Sequence, residues 1–435
     1  VIAEVRLWGR RIGAVSTVEG REHAAFQYDP AFASSGIPLS PLTMPLDERV
    51  YEFPMLPRDS FHGLPGLLAD CLPDRFGNAL IDAWLATQGR KPDGFSAVER
   101  LCYIGTRSMG ALEFAPAQGP APGKADTVDV GALVALASEI LTQRKGIKAS
   151  FRSRARQAAL QDILRVGTSA GGARAKALIA WHPQTHEVRS GQVSAGEGFE
   201  YWLLKFDGVQ GNKDKELDDP KGYGAIEYAY ALMAQAAGIH MSESRLLEEN
   251  GRRHFMTRRF DRTAEGGKLH MQSLGALAHY DYNQPGAYSY EQALQVIREL
   301  GLPMAALEQQ FRRMLFNVVA RNQDDHVKNI AFLMDRDGRW SLAPAFDVTY
   351  SFNPGGAWTA THQMTLNGKA DDFTLADIRA CAKLAGLKRG RDKAMLEEVS
   401  EAVSRWPTFA KEAGVVDAQR KQIGRTHRLK LASDP

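Results

Sequence analysis

An aspartate, Asp324, is followed five positions later by a carboxamide, Asn329, and eighteen positions after that by a second acid, Asp347. They stand in Gln323-Asp324-Asp325-His326-Val327-Lys328-Asn329 and in Phe346-Asp347-Val348. A carboxylate can take the proton of an attacking hydroxyl, while a carboxamide and a further carboxylate offer the hard oxygen donors that Mg²⁺ prefers. The set fits phosphoryl transfer. In a loose transition state of that kind catalysis is mostly positioning and charge neutralisation, so no covalent nucleophile is needed. Asp and Asn also build ordinary turns, and each residue taken singly is open to that reading.

Two upstream features extend the pattern. Val166 to Trp181 is a glycine-rich turn leading into an apolar run, and small residues such as Gly171, Gly172 and Ala173 let backbone N–H groups close on phosphate oxygens. It matches neither G-x-x-x-x-G-K-[ST] nor G-x-G-x-x-G, and a plain hairpin is the alternative. Next, Tyr201 to Phe206 reads as a strand carrying Lys205, and Gly224 to Gly238 as a helix carrying Glu227 near its start. A lone strand lysine either snorkels or meets an anion. Strand Lys followed by helix Glu is also the order in which protein kinases fix the lysine that holds the ATP phosphates.

The elements that must carry these groups follow from periodicity. Leu307, Phe311, Met314, Leu315 and Val318 predict a packed helix over 304–322, delivering the Asp324 segment onto a loop. Ile330 to Met334, a turn at Asp335 to Gly338, and Trp340 to Leu342 predict a hairpin ending near Asp347. Residues 1–115 alternate short apolar runs with turns and predict a β-rich N-terminal subdomain, with helices over 64–71 and 78–88. The Pro- and Gly-rich stretch 116–127 reads as a linker. A helix over 128–143 opens an α/β nucleotide-binding lobe, 128–262, and 263–435 forms a mainly helical catalytic lobe.

Composition sets the bounds. The 435 residues suit two or three domains, and 44% hydrophobic with 24% charged residues excludes disorder. The net charge of +3 is too nearly balanced for a nucleic-acid binder overall. Basic surface is therefore local, in Arg144, Lys145, Lys148, Arg152, Arg154 and Arg156 and in Arg420, Lys421, Arg425, Arg428 and Lys430. Either run is a solvated face or meets phosphate or an acidic partner. Three scattered cysteines form no CxxC, and neither an apolar leader nor a membrane-length run is present, which points to a cytoplasmic protein without membrane contact.

Assembled, these segments resemble the HipA family of bacterial serine/threonine kinases, the toxins of type II toxin–antitoxin modules. The resemblance rests on Gly172-Ala173-Arg174-Ala175-Lys176 after Ser169, on Trp202 to Phe206, Arg259-Phe260-Asp261-Arg262, Asp324 to Asn329 and Phe346-Asp347-Val348. Gly66 to Asp74 and Met109 to Phe114 extend it to the N-terminal part.

The resemblance implies an α+β, protein-kinase-like two-lobed fold and an enzyme using ATP and Mg²⁺. It implies that Lys205 contacts the ATP phosphates, that Asp324 is the catalytic base, and that Asn329 and Asp347 hold Mg²⁺. Gln272 and His326 match positions near the nucleotide, Arg258 to Phe260 would meet the adenine, and Ser169 falls where the family autophosphorylates, adding charge beside the site. Implied partners are a protein substrate in translation, such as an aminoacyl-tRNA synthetase, a helix-turn-helix antitoxin, and operator DNA through it. Asp325 stands where the family often has Gly, which would set an extra carboxylate near the metal, and Arg174 sits where Gln is usual. Two other functions remain compatible with the residues: a DNA-associated co-repressor with a silent kinase site, and a small-molecule phosphotransferase. His270 and His279 read as structural or surface histidines, and Met364 to Leu366, with Thr359, Thr361 and His362 before them, as a substrate-binding or ordinary surface loop.

Overall fold

The computed structural model describes all residues except 18, 92–93, 120–126, 143–162, 165–173, 193–194, 210–212, 215–216, 219–220, 264 and 433–435. The Arg144 to Arg156 run and the turn residues Ser169, Gly171, Gly172 and Ala173 therefore lie outside the described residues. The chain is mixed α/β and divides into two compact units. One comprises Val1–Lys221, Arg245–Gln272 and Met334–Gly338, the other Gly222–Ser244, Ser273–Leu333 and Arg339–Pro435.

The first unit begins with an antiparallel sheet of β1 (Ile2–Leu7), β2 (Arg10–Thr17), β3 (Ala24–Tyr28), β4 (Val50–Glu52) and β5 (Leu112–Ala115), in the order β4-β3-β2-β1-β5. Ala3, Val5 and Leu7 alternate inward along β1, the period-2 burial of a sheet with one covered face. A second sheet uses β6 (Lys176–Trp181), β7 (Val188–Ser190), β8 (Glu200–Lys205), then, past a short hairpin of β9 (Lys213–Asp214) and β10 (Leu217–Asp218), β11 (Ser244–Glu249) and β12 (Arg252–Arg258). Its order is β11-β12-β8-β6-β7. Every residue of β6 is buried, so this strand is covered on both faces. One cover is a continuous apolar cluster joining the helix Arg75–Thr87, through Phe76 and Leu80, and the helix Val130–Thr142, through Leu133 and Ile140, to Ile179 and Trp202.

Where β12 runs out, Asp261 is fully buried between two cations. Arg259 donates to it through Nε and Nη2 at 2.9 and 2.8 Å, Arg262 Nη1 at 2.7 Å, and the backbone N–H of Gly110 at 2.8 Å. Burial alone would raise its pKa, but the arginines and the Gly110 bond hold it well below the carboxylate range. Asp261→Asn strands two buried guanidinium groups. It is expected to lower the unfolding free energy by about 3–5 kcal/mol. The urea midpoint at constant slope measures this, and a shift under a tenth of the wild-type midpoint would contradict it.

The second unit is mainly helical. Its described helices are Tyr223–Ala236, Leu274–Ala278, Tyr290–Glu299, Met304–Ala320, Leu375–Leu384, Arg391–Ser404, Trp406–Glu412 and Asp417–Gly424. Capping boxes at Ser289 with Gln292 and at Thr374 with Asp377 start two of them. No described helix is long and apolar enough to cross a membrane.

Candidate active site

The helix Met304–Ala320 is buried along most of its length, with Phe311, Met314, Leu315 and Val318 inaccessible to solvent. It stops because Arg321 adopts a left-handed conformation, φ +59°, and its N–H turns back to Asn317 O. The chain then passes through Asn322, Gln323 and Asp324 into a 3₁₀ turn at Val327–Asn329 and on into the strand Ala331–Met334. Ala343 N–H bonds Ala331 O at 2.9 Å, and Ala345 pairs in parallel with Met241, its N–H donating to His240 O at 2.8 Å. These bonds fix the approach to Asp347, whose own φ is +51°, a region Asp tolerates better than most residues.

Asp324, partly exposed, accepts a hydrogen bond at Oδ1 from Trp358 Nε1 at 2.7 Å, and His326 Nε2 stands 3.9 Å from the same oxygen. Its main-chain carbonyl accepts from Asn329 Nδ2 at 2.7 Å. That bond orients the Asn329 side chain, because an amide whose NH₂ is spent on one carbonyl keeps its oxygen for another partner. Asn329 and Asp347, with His326 and Phe346, line one recess of about 420 Å³, open mouth included, whose lining also includes Tyr290, Gln310, Arg313, Asn317 and Asn322. Arg313 is buried, which pulls its pKa down to about 9, and it donates to Ala343 O at 2.7 Å.

Asp325 points to a different task from its neighbour. Its Oδ2 accepts from the Tyr290 hydroxyl and from His362 Nδ1 at 2.7 Å, and its Oδ1 from Gln363 N–H at 2.8 Å. Burial opposes its charge, yet the hydrogen bonds from His362, Tyr290 and the Gln363 N–H outweigh that and lower its pKa. Asp325 is thus a buried carboxylate with both oxygens committed to protein donors, and it lines the same recess as Asn329 and Asp347. Sequence spacing missed Tyr290, Trp358 and Gln363, since tertiary folding brings them from 34 to 38 positions away. His362 was legible only as part of a loop.

Of the remaining expected residues, Lys205, Arg258, Phe260 and Gln272 fall in the first unit. Lys205 ends β8, directly opposite Lys176 of β6 and Phe255 of β12, with its Nζ 5.8 Å from the Phe255 ring centre. Like charges facing each other across strands repel, and Lys176 is instead met by the buried Asp74 at 3.0 Å. Arg258 lies 3.6 Å from Glu200, and Phe260 is half-buried. Gln272 is fully buried, its Nε2 donating to Leu39 O at 2.6 Å and its Oε1 accepting from Ser40 Oγ at 3.3 Å. Glu227 is buried in the helix Tyr223–Ala236 of the second unit. Of the C-terminal basic cluster, Arg420 and Lys421 both reach Asp417, whereas Arg428 turns inward onto His362.

Among the described residues no group of three or more His, Cys, Asp or Glu side chains could hold a metal ion. Mg²⁺ is usually held by one or two side-chain oxygens and completed by phosphate and water. Asn329 and Asp347 bring one carboxamide and one carboxylate to the same recess.

Comparison with known proteins places the chain. Residues 168–406 match the family model described as HipA-like C-terminal domain, and residues 3–115 match the HipA N-terminal domain. No curated protein sequence matches. Among solved structures, Shewanella oneidensis MR-1 HipA, determined with HipB and its operator DNA, aligns over 97% of this chain and 94% of its own, at 16% identity and a TM-score of 0.66. The Helicobacter pylori proinflammatory kinase CtkA aligns over 49% of this chain and 90% of its own, at 12% identity and a TM-score of 0.31. With the C-terminal match alone spanning more than half of its residues, the chain belongs to the HipA family.

Proposed function

We propose that the protein is an ATP- and Mg²⁺-dependent serine/threonine protein kinase of two-lobed, kinase-like fold that acts as the toxin of a toxin–antitoxin module. The observation that carries this reading is the placing of Asn329 and Asp347 on one recess, with Asp324 bonded through its carbonyl to Asn329, inside the family-matched segment. In this reading Asp324 accepts the proton of the acceptor hydroxyl, with Trp358 Nε1 fixing the orientation of its carboxylate. Asn329 and Asp347 would hold Mg²⁺, which when bound neutralises phosphate charge. Lys205 contributes a cation to the nucleotide phosphates, and Gly171, Gly172 and Ala173 contribute backbone N–H groups. Arg258, Phe260, Gln272 and His326 are assigned to the nucleotide by family resemblance, and the buried amide of Gln272 makes it a support rather than a contact.

The proposed substrate is a protein of the translation apparatus, and the proposed partner a helix-turn-helix antitoxin that brings the complex to operator DNA. The Shewanella protein, solved with HipB and operator DNA, supports that assignment by analogy of fold. Ser169 is the proposed autophosphorylation site. Incubating purified protein with γ-labelled ATP and Mg²⁺ and mapping phosphate by mass spectrometry is expected to place label on Ser169. Label that moves to an aminoglycoside and never to protein would replace this reading with a small-molecule phosphotransferase.

A further inference from the structure

The residues matched by the family end at 406, yet the chain beyond them returns to the loop that carries Asp324. Arg321 Nε donates to Thr426 O at 3.0 Å, Arg428 N–H donates to Val319 O at 2.8 Å, and Ala432 pairs with Thr374. Arg428 is thereby held beside the end of the helix Met304–Ala320. Its guanidinium pairs with Asp371, lies 5.6 Å from the Phe373 ring centre, and reaches His362 Nε2 at 3.0 Å.

The chemistry of that last contact sets the next one. A guanidinium only donates, so His362 Nε2 must accept, and the ring proton sits on Nδ1, where it donates to Asp325 Oδ2 at 2.7 Å. Asp325 also takes the Tyr290 hydroxyl, which in turn accepts from Asn317 Nδ2 at 3.0 Å, and Gln363 N–H. Gln363 Nε2 bonds Trp358 O, and Trp358 Nε1 bonds Asp324. The links in this chain from residue 428 to residue 324 are direct hydrogen bonds joined by two covalent steps, one within Gln363 from its N–H to its side chain and one within Trp358 from its main-chain carbonyl to its indole. His362 and Asp325 are fully enclosed, where such bonds are strongest and an unmade one costs most.

We propose that Arg428, from the segment beyond the family-matched residues, is a positioning residue that sets the Asp324 carboxylate through His362 and Asp325. The catalytic part of this inference rests on the kinase reading. The structural part does not.

The test uses the full chain labelled with 5-fluorotryptophan, the Trp358 ¹⁹F line being assigned by Trp358→Phe. Arg428→Met, Arg428→Lys and Asp325→Asn are compared, with ATP as phosphoryl donor and casein as acceptor. Arg428→Met is expected to lower kcat by roughly 10–100-fold, with KM for ATP changed by less than about two-fold, because a small misplacement of a reacting group acts on the chemical step. Its Trp358 line should move even without nucleotide, and Arg428→Lys should recover part of the rate. Adding Asp325→Asn to Arg428→Met should cost little more than either change alone. An unmoved Trp358 line, or losses that multiply in the double variant, overturns the proposal. Should wild-type protein turn over no ATP, the kinase reading falls and the Trp358 line alone decides. If Arg428→Met does not fold, Arg428→Lys and Asp325→Asn carry the same two readouts.

Discussion

Asp324→Asn is expected to lower phosphoryl transfer by roughly 10²–10⁴-fold while leaving the melting temperature within about 2 °C of wild type. The two halves of this prediction come from different atoms of the same residue. The amide oxygen that replaces Oδ1 can still accept from Trp358 Nε1, now 2.7 Å away, and the main-chain carbonyl still receives Asn329 Nδ2. The loop therefore keeps its supports. What disappears is the only function an amide cannot mimic, accepting a proton from the attacking hydroxyl. Asp325→Asn separates the roles of the two adjacent acids. It removes charge from a fully buried group whose partners are Tyr290, His362 and Gln363, so its damage falls on stability as well as rate. Initial rates at saturating ATP and Mg²⁺, set beside thermal melts of the same samples, make the comparison. An Asp324→Asn protein with undiminished rate would remove Asp324 as the base.

Much of what positions these residues is legible in the sequence, and the reason is local. Helical spacing from Leu307 to Val318 marks a helix whose end must release Asp324, and the observed helix Met304–Ala320 ends where Arg321 turns left-handed. The apolar run Ala331–Met334, the Asp-Gly turn and Trp340–Leu342 likewise mark a hairpin ahead of Asp347. Asp325 shows where this reasoning stops. Its type and position suggested a second negative charge beside a metal, and nothing in the neighbouring sequence says that Tyr290, His362 and Gln363 close around it. Gln272 is similar. Its buried amide is consumed by Leu39 and Ser40, more than 230 residues earlier, a pairing no periodicity encodes. The C-terminal cations divide for the same reason: Arg420 and Lys421 sit one helical turn from Asp417 and pair as spacing allows, whereas Arg428 is drawn inward by partners distant in sequence.

Acid should destabilise the fold before its carboxylates titrate, because burial lowers the pKa of His254, His270, His279 and His427, the last three furthest. His270 is fully buried and its Nε2 receives Gln272 Nε2 at 3.0 Å; burial drives its pKa down to about 3. His279, on the left-handed cap after the helix Leu274–Ala278, is lowered to about 4 by burial. His427 packs against Trp406 and Tyr230, and burial together with Arg321 lowers it to about 4. A folded pKa below the unfolded value near 6.5 means that the unfolded chain binds the proton first. The stability each histidine contributes is therefore complete above about pH 6.5 and is lost as pH falls toward the folded value, at up to about 1.4 kcal/mol per pH unit. Together His270, His279 and His427 give a slope of about 4 kcal/mol per unit between pH 6 and 4.5, large against a typical total of about 5–15 kcal/mol. Asp377, held at about 2 against its burial by Asn367, Lys369 and Thr374, acts only below about pH 4 and so does not share this window. His270 belongs to one compact unit and His279 and His427 to the other, so a transition that splits in two should steepen with acid in both steps. His427→Gln is expected to flatten the slope by about 1.4 kcal/mol per unit in the second unit. Urea titrations at half-unit intervals from pH 7.5 to 4.5 read these slopes, and an unfolding free energy that stays level down to pH 5 would show that these rings are charged in the folded protein.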